Sequence, residues 1–289
     1  MNSSPQRSAF DREFDFTDDD FIFVSDLVKQ RSGIVLGDNK HNMVYGRLSR
    51  RLRVLGLTSF KDYCNLITSP RGDDELMAFI NAMTTNLTKF FRENHHFEHL
   101  AKVVIPAKLE RARRTGDRRF RIWSAGSSSG EEPYTIAMVL RENIPDIAAW
   151  DCRILASDID TNMLQHSREG IYTKERIDNI PLGLRDRYVK PVPGNSGHGK
   201  MADELRAMIA FKPLNLHDRW PMKGPFDLIF CRNVVIYFDK PTQKVLFERM
   251  EQVLADDGFL YVGHSENLMH TTKKFKLIGQ SIYTKAGRP

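Results

Sequence analysis

Between Arg119 and Met138 the chain reads RFRIWSAGSSSGEEPYTIAM, and these residue types could hold a ligand through backbone and carboxylate groups. Gly126 and Gly130 bracket Ser127, Ser128 and Ser129, so a ligand can approach the turn closely. The apolar stretch Phe120-Arg121-Ile122-Trp123 precedes it as a strand, and Pro133 opens a helix after it. Free amides at that helix start would face the ligand. The dinucleotide fingerprint G-x-G-x-x-G is absent, and Glu131 and Glu132 follow the second glycine at once. Carboxylates at a helix start disfavour a phosphate and suit a cation such as an amino group or a sulfonium. The site therefore looks like one for S-adenosylmethionine.

Other residues with chemical potential are scattered. Asp158 ends a second strand, Arg153-Ile154-Leu155-Ala156-Ser157-Asp158, where an acid can accept bonds from both ribose hydroxyls of a nucleoside. The same carboxylate, or that of Asp160, could instead cap the helix that starts at Thr161. Asn86, Thr88 and Arg92 form a polar series beside Phe90, Phe91 and Phe97, which read as core. His95 and His96 have no acid or cysteine a helical turn from both, so no metal site is expected. Cys64, Cys152 and Cys231 are far apart and lack metal spacing, which fits a reducing cytoplasm. Arg47, Arg50, Arg51 and Arg53 crowd one helix that carries no acids, so they have no local ion-pair partners and read as a docking face.

These groups need a scaffold, and its periodicities can be read. Residues 1–16 read as a mobile tail. Thr17 and three aspartates start a helix with Phe21, Val24, Leu27 and Val28 on one face, closed by Gly33. Helices follow over about 40–55, 59–67 and 73–83, giving a small all-α domain with linker over 17–92. From 93 to 289 strands alternate with helices, as in a doubly wound α/β sheet. The rhythm fails over about 170–212, where Pro181, Pro191, Pro193 and a glycine-rich cluster predict an inserted, partly antiparallel subdomain built on turns. Met201–Phe211 fits helix or strand, and the main sheet is expected to resume over 211–216. The end, 275–285, reads as an antiparallel hairpin around Gly279.

The 289 residues suffice for two domains, and 41% hydrophobic content argues against disorder. No apolar run approaches a membrane span, and the first residues lack the apolar core of a secretory signal. The net charge of +6 suits any acidic partner. An RNA substrate is disfavoured, since no base-stacking aromatic series or D/N-P-P-Y/F pocket motif is present.

Five segments, NLTKFFRE (86–93), SSSGEEPY (127–134), SDID (157–160), GPFDLIFCRNVVIYFD (224–239) and GHSEN (263–267), resemble the chemotaxis receptor glutamate methyltransferases, the CheR family. The resemblance runs from about residue 18 to the end. It implies a helical N-terminal domain, a methyltransferase sheet with an inserted β-subdomain, S-adenosylmethionine as cofactor and S-adenosylhomocysteine as product. It also implies methyl transfer to glutamates on the cytoplasmic methylation helices of receptors. By this resemblance Asn86, Thr88 and Arg92 would lie over the cofactor, Glu131, with Glu132 as the second candidate, would meet its methionine part, and Asp158 would hold its ribose. Asn215 and Leu216 would border the adenine, Arg232 and Asn233 would bind the cofactor from the end of the fourth strand, and Tyr237, near the transferred methyl, would with Arg92 be catalytic by orienting the substrate carboxylate or the cofactor next to it. A monomer is expected, without nucleic acid or membrane insertion. The inserted loop VPGNSGHGKMADEL looks shorter than in enteric relatives, so no strong tether to a receptor's C-terminal pentapeptide is expected. A catalytically weak sensing or scaffolding module is the alternative.

Overall fold

Capping residues set the ends of the first helices in the computed structural model, which describes residues 12–287 and divides into the units Met1–Thr84 and Thr85–Pro289. Helix α1 (Asp18–Ser32) begins with a reciprocal capping box between Thr17 and Asp20 and stops at Gly33, φ 76°. Helices α2 (His41–Leu55), α3 (Phe60–Thr68) and α4 (Asp73–Met83) follow, α3 capped by Ser59 and α2 ended by left-handed Gly56. Their apolar stripes meet in a core that includes Val24, Val28, Val44, Leu48, Leu52, Tyr63 and Phe79.

Two expectations for this unit change. Residues 12–16 are no tail: Phe14 and Phe16 are buried, and Phe16 packs on Phe60 at 4.4 Å between ring centroids. The tail expectation for residues 1–11 lies outside the described residues. The arginines of α2, expected to be unpartnered, mostly find partners from other elements. Arg51 makes a two-pronged bond to the buried Glu75 carboxylate, 2.9 and 2.5 Å, which also accepts the Tyr63 hydroxyl at 2.8 Å. Arg47 donates to the carbonyls of Ala82, Met83 and Thr84, and Arg53 pairs with Glu13 at 2.6 Å. Arg50 alone of the four is exposed without a hydrogen bond or ion pair among the described residues. A local i,i+4 criterion could not see acids supplied by tertiary structure.

The second unit starts earlier than expected, at Thr85 rather than Glu93, because Asn86, Phe90 and Phe91 are bonded into it. Helix α5 (His95–His99) passes through a π-helical turn (Leu100–Val104) into α6 (Ile105–Thr115). Then come β1 (Arg119–Ala125), α7 (Glu131–Asn143), β2 (Asp151–Asp158) and α8 (Thr161–Glu169). The insertion holds β3 (Ile171–Thr173), α9 (Lys174–Ile177), α10 (Leu182–Tyr188), β4 (Val189–Val192), β5 (Asn195–Met201) and α11 (Asp203–Arg206). The sheet resumes with β6 (Ile209–Pro213), β7 (Phe226–Cys231), α12 (Lys240–Val253), β8 (Leu254–Val262), β9 (Phe275–Gly279) and β10 (Ile282–Lys285).

The seven strands lie in the order β6-β2-β1-β7-β8-β10-β9, parallel except for β10, which runs antiparallel to both neighbours. Alternation sends Phe120, Ile122, Leu228 and Phe230 to the face covered by α7, and Trp123, Ala125, Ile229 and Cys231 to the face covered by α12. The insertion is a separate antiparallel sheet, β3-β5-β4, as expected, although the short helices α9 and α10 were not. The ambiguous stretch resolves as α11 followed by β6, which starts at Ile209 and leaves the sheet after Pro213, not Leu216. Among the described residues no helix is long and apolar enough to cross a membrane.

Candidate active site

The order in which successive strands are laid down reverses between the parallel neighbours β1 and β7, and ligands of such sheets bind beyond the strand ends at that switch point. The loop after β1 lies there, and Gly126 is needed for space as well as for its φ of 76°. A Cβ on it would come within 2.4 Å of Val234, in the loop after β7. A Cβ on Gly130 would meet Ser167 and Tyr172 at 2.8 Å. The amides expected to be free for a ligand are largely used. Those of Gly126 and Ser127 donate to the Ser157 carbonyl at 2.8 and 2.9 Å, that of Gly130 to the Ser127 carbonyl, and that of Ser128 to the Asp158 carboxylate at 2.7 Å. The loop thus ties β1 to β2, and the buried Ser127 hydroxyl is left without a partner.

The two acids of α7 diverge. Glu131 is fully buried, accepts the Ser129 hydroxyl at 2.7 Å and pairs with Arg176 of the insertion at 2.5 Å. Glu132 accepts the Ser124 hydroxyl at 2.7 Å and pairs with Arg232 at 3.1 Å. Burial pushes the Glu132 carboxyl above the usual carboxylate range, against the pull of Arg232. Neither acid stands bare toward a cation, contrary to the simple charge argument from the sequence.

Asp158 is the more exceptional group. Only 7% exposed, it accepts the amides of Ser128 and Asp160 at 2.7 and 2.9 Å, and burial pushes its carboxyl up to about 6. The alternative of helix capping falls to Asp160, whose carboxylate takes the amides of Asn162 and Met163. Asp158 is therefore released from capping, and its four lone-pair directions still exceed the backbone donors of Ser128, Ile159 and Asp160. Asn86 joins the same network, donating to Asp160 at 2.7 Å and accepting the Ser128 hydroxyl at 3.3 Å. Beyond β6, the Leu214 amide donates to the Asp158 carbonyl at 2.9 Å, which brings Asn215 and the buried Leu216 beside the strand end. Asn215 accepts the His217 amide, and the Leu216 carbonyl accepts Trp220 and Arg249.

Residues 86–93 close the third side. Arg92 is half-buried and donates to the Leu87 carbonyl at 2.6 Å; Thr88 is half-buried nearby in sequence. Phe91 and Glu93 take positive φ, 55° and 54°, which breaks the chain from helical direction. Arg232, expected at the ligand, instead points inward: its side chain is 2% exposed and bonds Glu132, Glu93 and the Arg92 carbonyl while lying over Phe97. It fastens the ends of β7, α7 and the 86–93 segment together. Asn233 follows at φ 59°.

Sequence reasoning missed the role of Glu266, although it quoted the GHSEN segment that holds it. The Glu266 carboxylate, 5% exposed, accepts the amides of Asn233, Val234, Val235 and Ile236 at 2.8 to 3.3 Å and that of Gly263 at 2.5 Å. A Cβ on Gly263 would meet Asn233 at 2.4 Å. This clamp shapes the 3₁₀ turn Val235–Tyr237, which carries Tyr237 half-buried with no hydroxyl partner among the described residues. The tyrosine lies outside both core clusters, so it is not the core aromatic that its neighbour Phe238 suggests.

Residues 86–284 match the CheR methyltransferase SAM-binding domain, and residues 19–84 match the CheR methyltransferase all-alpha domain. The chain belongs to the CheR methyltransferase family. It is 45% identical to the chemotaxis protein methyltransferase of Escherichia coli K12 over 92% of this chain and 91% of that protein. Identity is 42% to chemotaxis protein methyltransferase 2 of Pseudomonas aeruginosa, covering 98% and 99% of the two chains. It is also 42% to a probable chemotaxis protein methyltransferase of Rhizobium etli, covering 89% and 96%. A CheR methyltransferase needs a place for S-adenosylmethionine, and the residues at the switch point fit one: a buried carboxylate with spare acceptor capacity, an orphaned serine hydroxyl and a glycine turn that no Cβ could enter.

Proposed function

We propose that this chain transfers the methyl group of S-adenosylmethionine to glutamate side chains on the cytoplasmic methylation helices of chemotaxis receptors, forming methyl esters and leaving S-adenosylhomocysteine. The observation that carries the reading is Asp158, a buried and incompletely satisfied carboxylate at the switch point, hydrogen-bonded to the same loop that Asn86 reaches. Asp158 would accept the ribose hydroxyls, Asn215 and Leu216 would flank the adenine, and Asn86, Thr88 and Arg92 would cover the cofactor. Glu131 would face the methionine end with Arg176 displaced. Arg232 and Asn233 would act through their backbone, since the Arg232 side chain is committed elsewhere.

The bound cofactor supplies an electrophilic methyl on a sulfonium. A glutamate has a pKa of about 4.3, so the substrate is already an anion and no general base is required. What remains is to strip water from one carboxylate oxygen and hold it in line. Arg92 would supply a permanent charge and Tyr237 a hydroxyl donor. Tyr237→Phe should lower kcat about tenfold, the worth of one hydrogen bond, with S-adenosylhomocysteine affinity unchanged. Normal turnover in that variant would remove the hydroxyl from the mechanism.

Receptor docking narrows from four arginines to Arg50, with Arg53 available if it leaves Glu13; Arg47 and Arg51 hold their own unit together. Arg50→Glu should raise KM for receptor several-fold, most at low salt, while cofactor affinity stays put. A loss of cofactor binding would contradict this division. The chain would act in the cytoplasm as a monomer, without a strong pentapeptide tether.

A further inference from the structure

No metal was expected at His95 and His96, for want of an acid a helical turn away. The structure brings the acid from the other direction. The left-handed turn at Glu93 returns its carboxylate to the histidines, and one carboxylate oxygen and one ring nitrogen from each histidine lie within 4.8 Å of one another.

Hydrogen bonding prepares these rings as ligands. Nε2 of His95 and Nε2 of His96 both lie against the Gln280 carbonyl, at 3.0 and 3.2 Å. A carbonyl only accepts, so both Nε2 atoms carry the proton and both Nδ1 atoms keep a lone pair. An imidazole N–H held by a backbone carbonyl is the usual outer support of a metal-bound histidine. His96 is fully buried, stacked on Tyr261 at 4.9 Å, and its Nδ1 has no hydrogen-bond partner. Oε2 of Glu93 is likewise buried and accepts no hydrogen bond; it lies 3.8 Å from that nitrogen and 3.4 Å from the Arg232 guanidinium. Two ligands on a tetrahedral zinc with bonds of about 2.1 Å stand roughly 3.4 Å apart, so a small inward shift suffices. Nδ1 of the exposed His264 lies 3.2 Å from the other Glu93 oxygen.

We propose that Glu93, His95 and His96 form a binding site for a transition-metal dication of the zinc class, with His264 holding the other Glu93 oxygen from outside the ligand set. Imidazole and carboxylate ligands select such ions over calcium or magnesium. Arg232 is an opposing charge 3.4 Å from Glu93, and it keeps Glu132 and the Arg92 carbonyl when Glu93 turns to the metal. The site does not depend on the proposed methyl transfer.

The test is titration of the full chain, free of any affinity tag and treated with chelator, first with cobalt(II) and then with zinc(II). Expected are a single equivalent of cobalt with the visible absorption of a four-coordinate ion, its displacement by zinc, and a rise in Tm with zinc. Glu93→Gln and His95→Ala should each weaken binding about 100-fold, and His264→Ala, which removes an outer support of Glu93, should weaken it about tenfold. Because His264 is 73% exposed, its variant keeps the test available if the others fold poorly. Absence of the absorption, or its persistence unchanged in all three variants, overturns the proposal.

Discussion

Replacing Asp158 by alanine should weaken S-adenosylhomocysteine binding about 100-fold or more. A carboxylate that accepts two ribose hydroxyls makes two bonds to a charged group, each worth about 1.5–3 kcal/mol. The variant also releases the amides of Ser128 and Asp160, which shape the loop after β1. The wild-type protein should carry a pH signature of the same group. Burial places the Asp158 carboxyl at about 6 before ligand arrives. Ribose hydroxyls donate to the ionised form, so affinity is complete above that value and falls as pH drops through it, by about tenfold per unit below. Asp158→Asn should bind weakly with no such slope. Calorimetry with S-adenosylhomocysteine between about pH 8 and pH 5 reads both effects, and a flat wild-type profile would exclude Asp158 as the ribose acceptor.

Glu266→Gln should cost about 3 kcal/mol or more of stability and most of the turnover. One charged side chain gathers five backbone amides, four of them from the loop after β7. A glutamine amide presents an NH₂ to some of those N–H groups, leaving buried donors without acceptors. The loop that loosens is the one carrying Asn233 and Tyr237, so kcat should fall further than in Tyr237→Phe. Chemical denaturation and steady-state rates measure the two losses. Wild-type stability with impaired turnover would make Glu266 a ligand contact instead of a clamp.

Much of this scaffold was legible because it rests on local rules. Thr17, Ser59, Gly33 and Gly56 are capping residues, and the apolar runs at 120–123 and 226–231 are buried strands whose alternate residues serve both faces. Met201–Phe211 was ambiguous because a short helix and a strand share it. The helices α9 and α10 were missed because four and seven residues are too few to establish a 3.6-residue period. Partners distant in sequence were beyond such reasoning. Arg51 meets Glu75 across 24 residues, Arg176 meets Glu131 across 45, and Arg232 meets Glu132 across 100. Those pairs change the site most: they turn Arg51 and Arg232 into internal fasteners and give both acids of α7 a counter-charge. Asp158 kept its expected place because its position depends on the strand end alone, which the apolar run before it marks.

The most direct measurement offers methyl-labelled S-adenosylmethionine and the cytoplasmic fragment of a chemotaxis receptor to the purified protein. Glutamate methyl esters hydrolyse in alkali and release labelled methanol, whereas methyl groups on nitrogen stay bound. Label that enters the receptor fragment, leaves as methanol on alkaline treatment and maps to glutamate side chains is the expected result. No transfer to the fragment, or label that survives alkali, would contradict glutamate esterification by this protein.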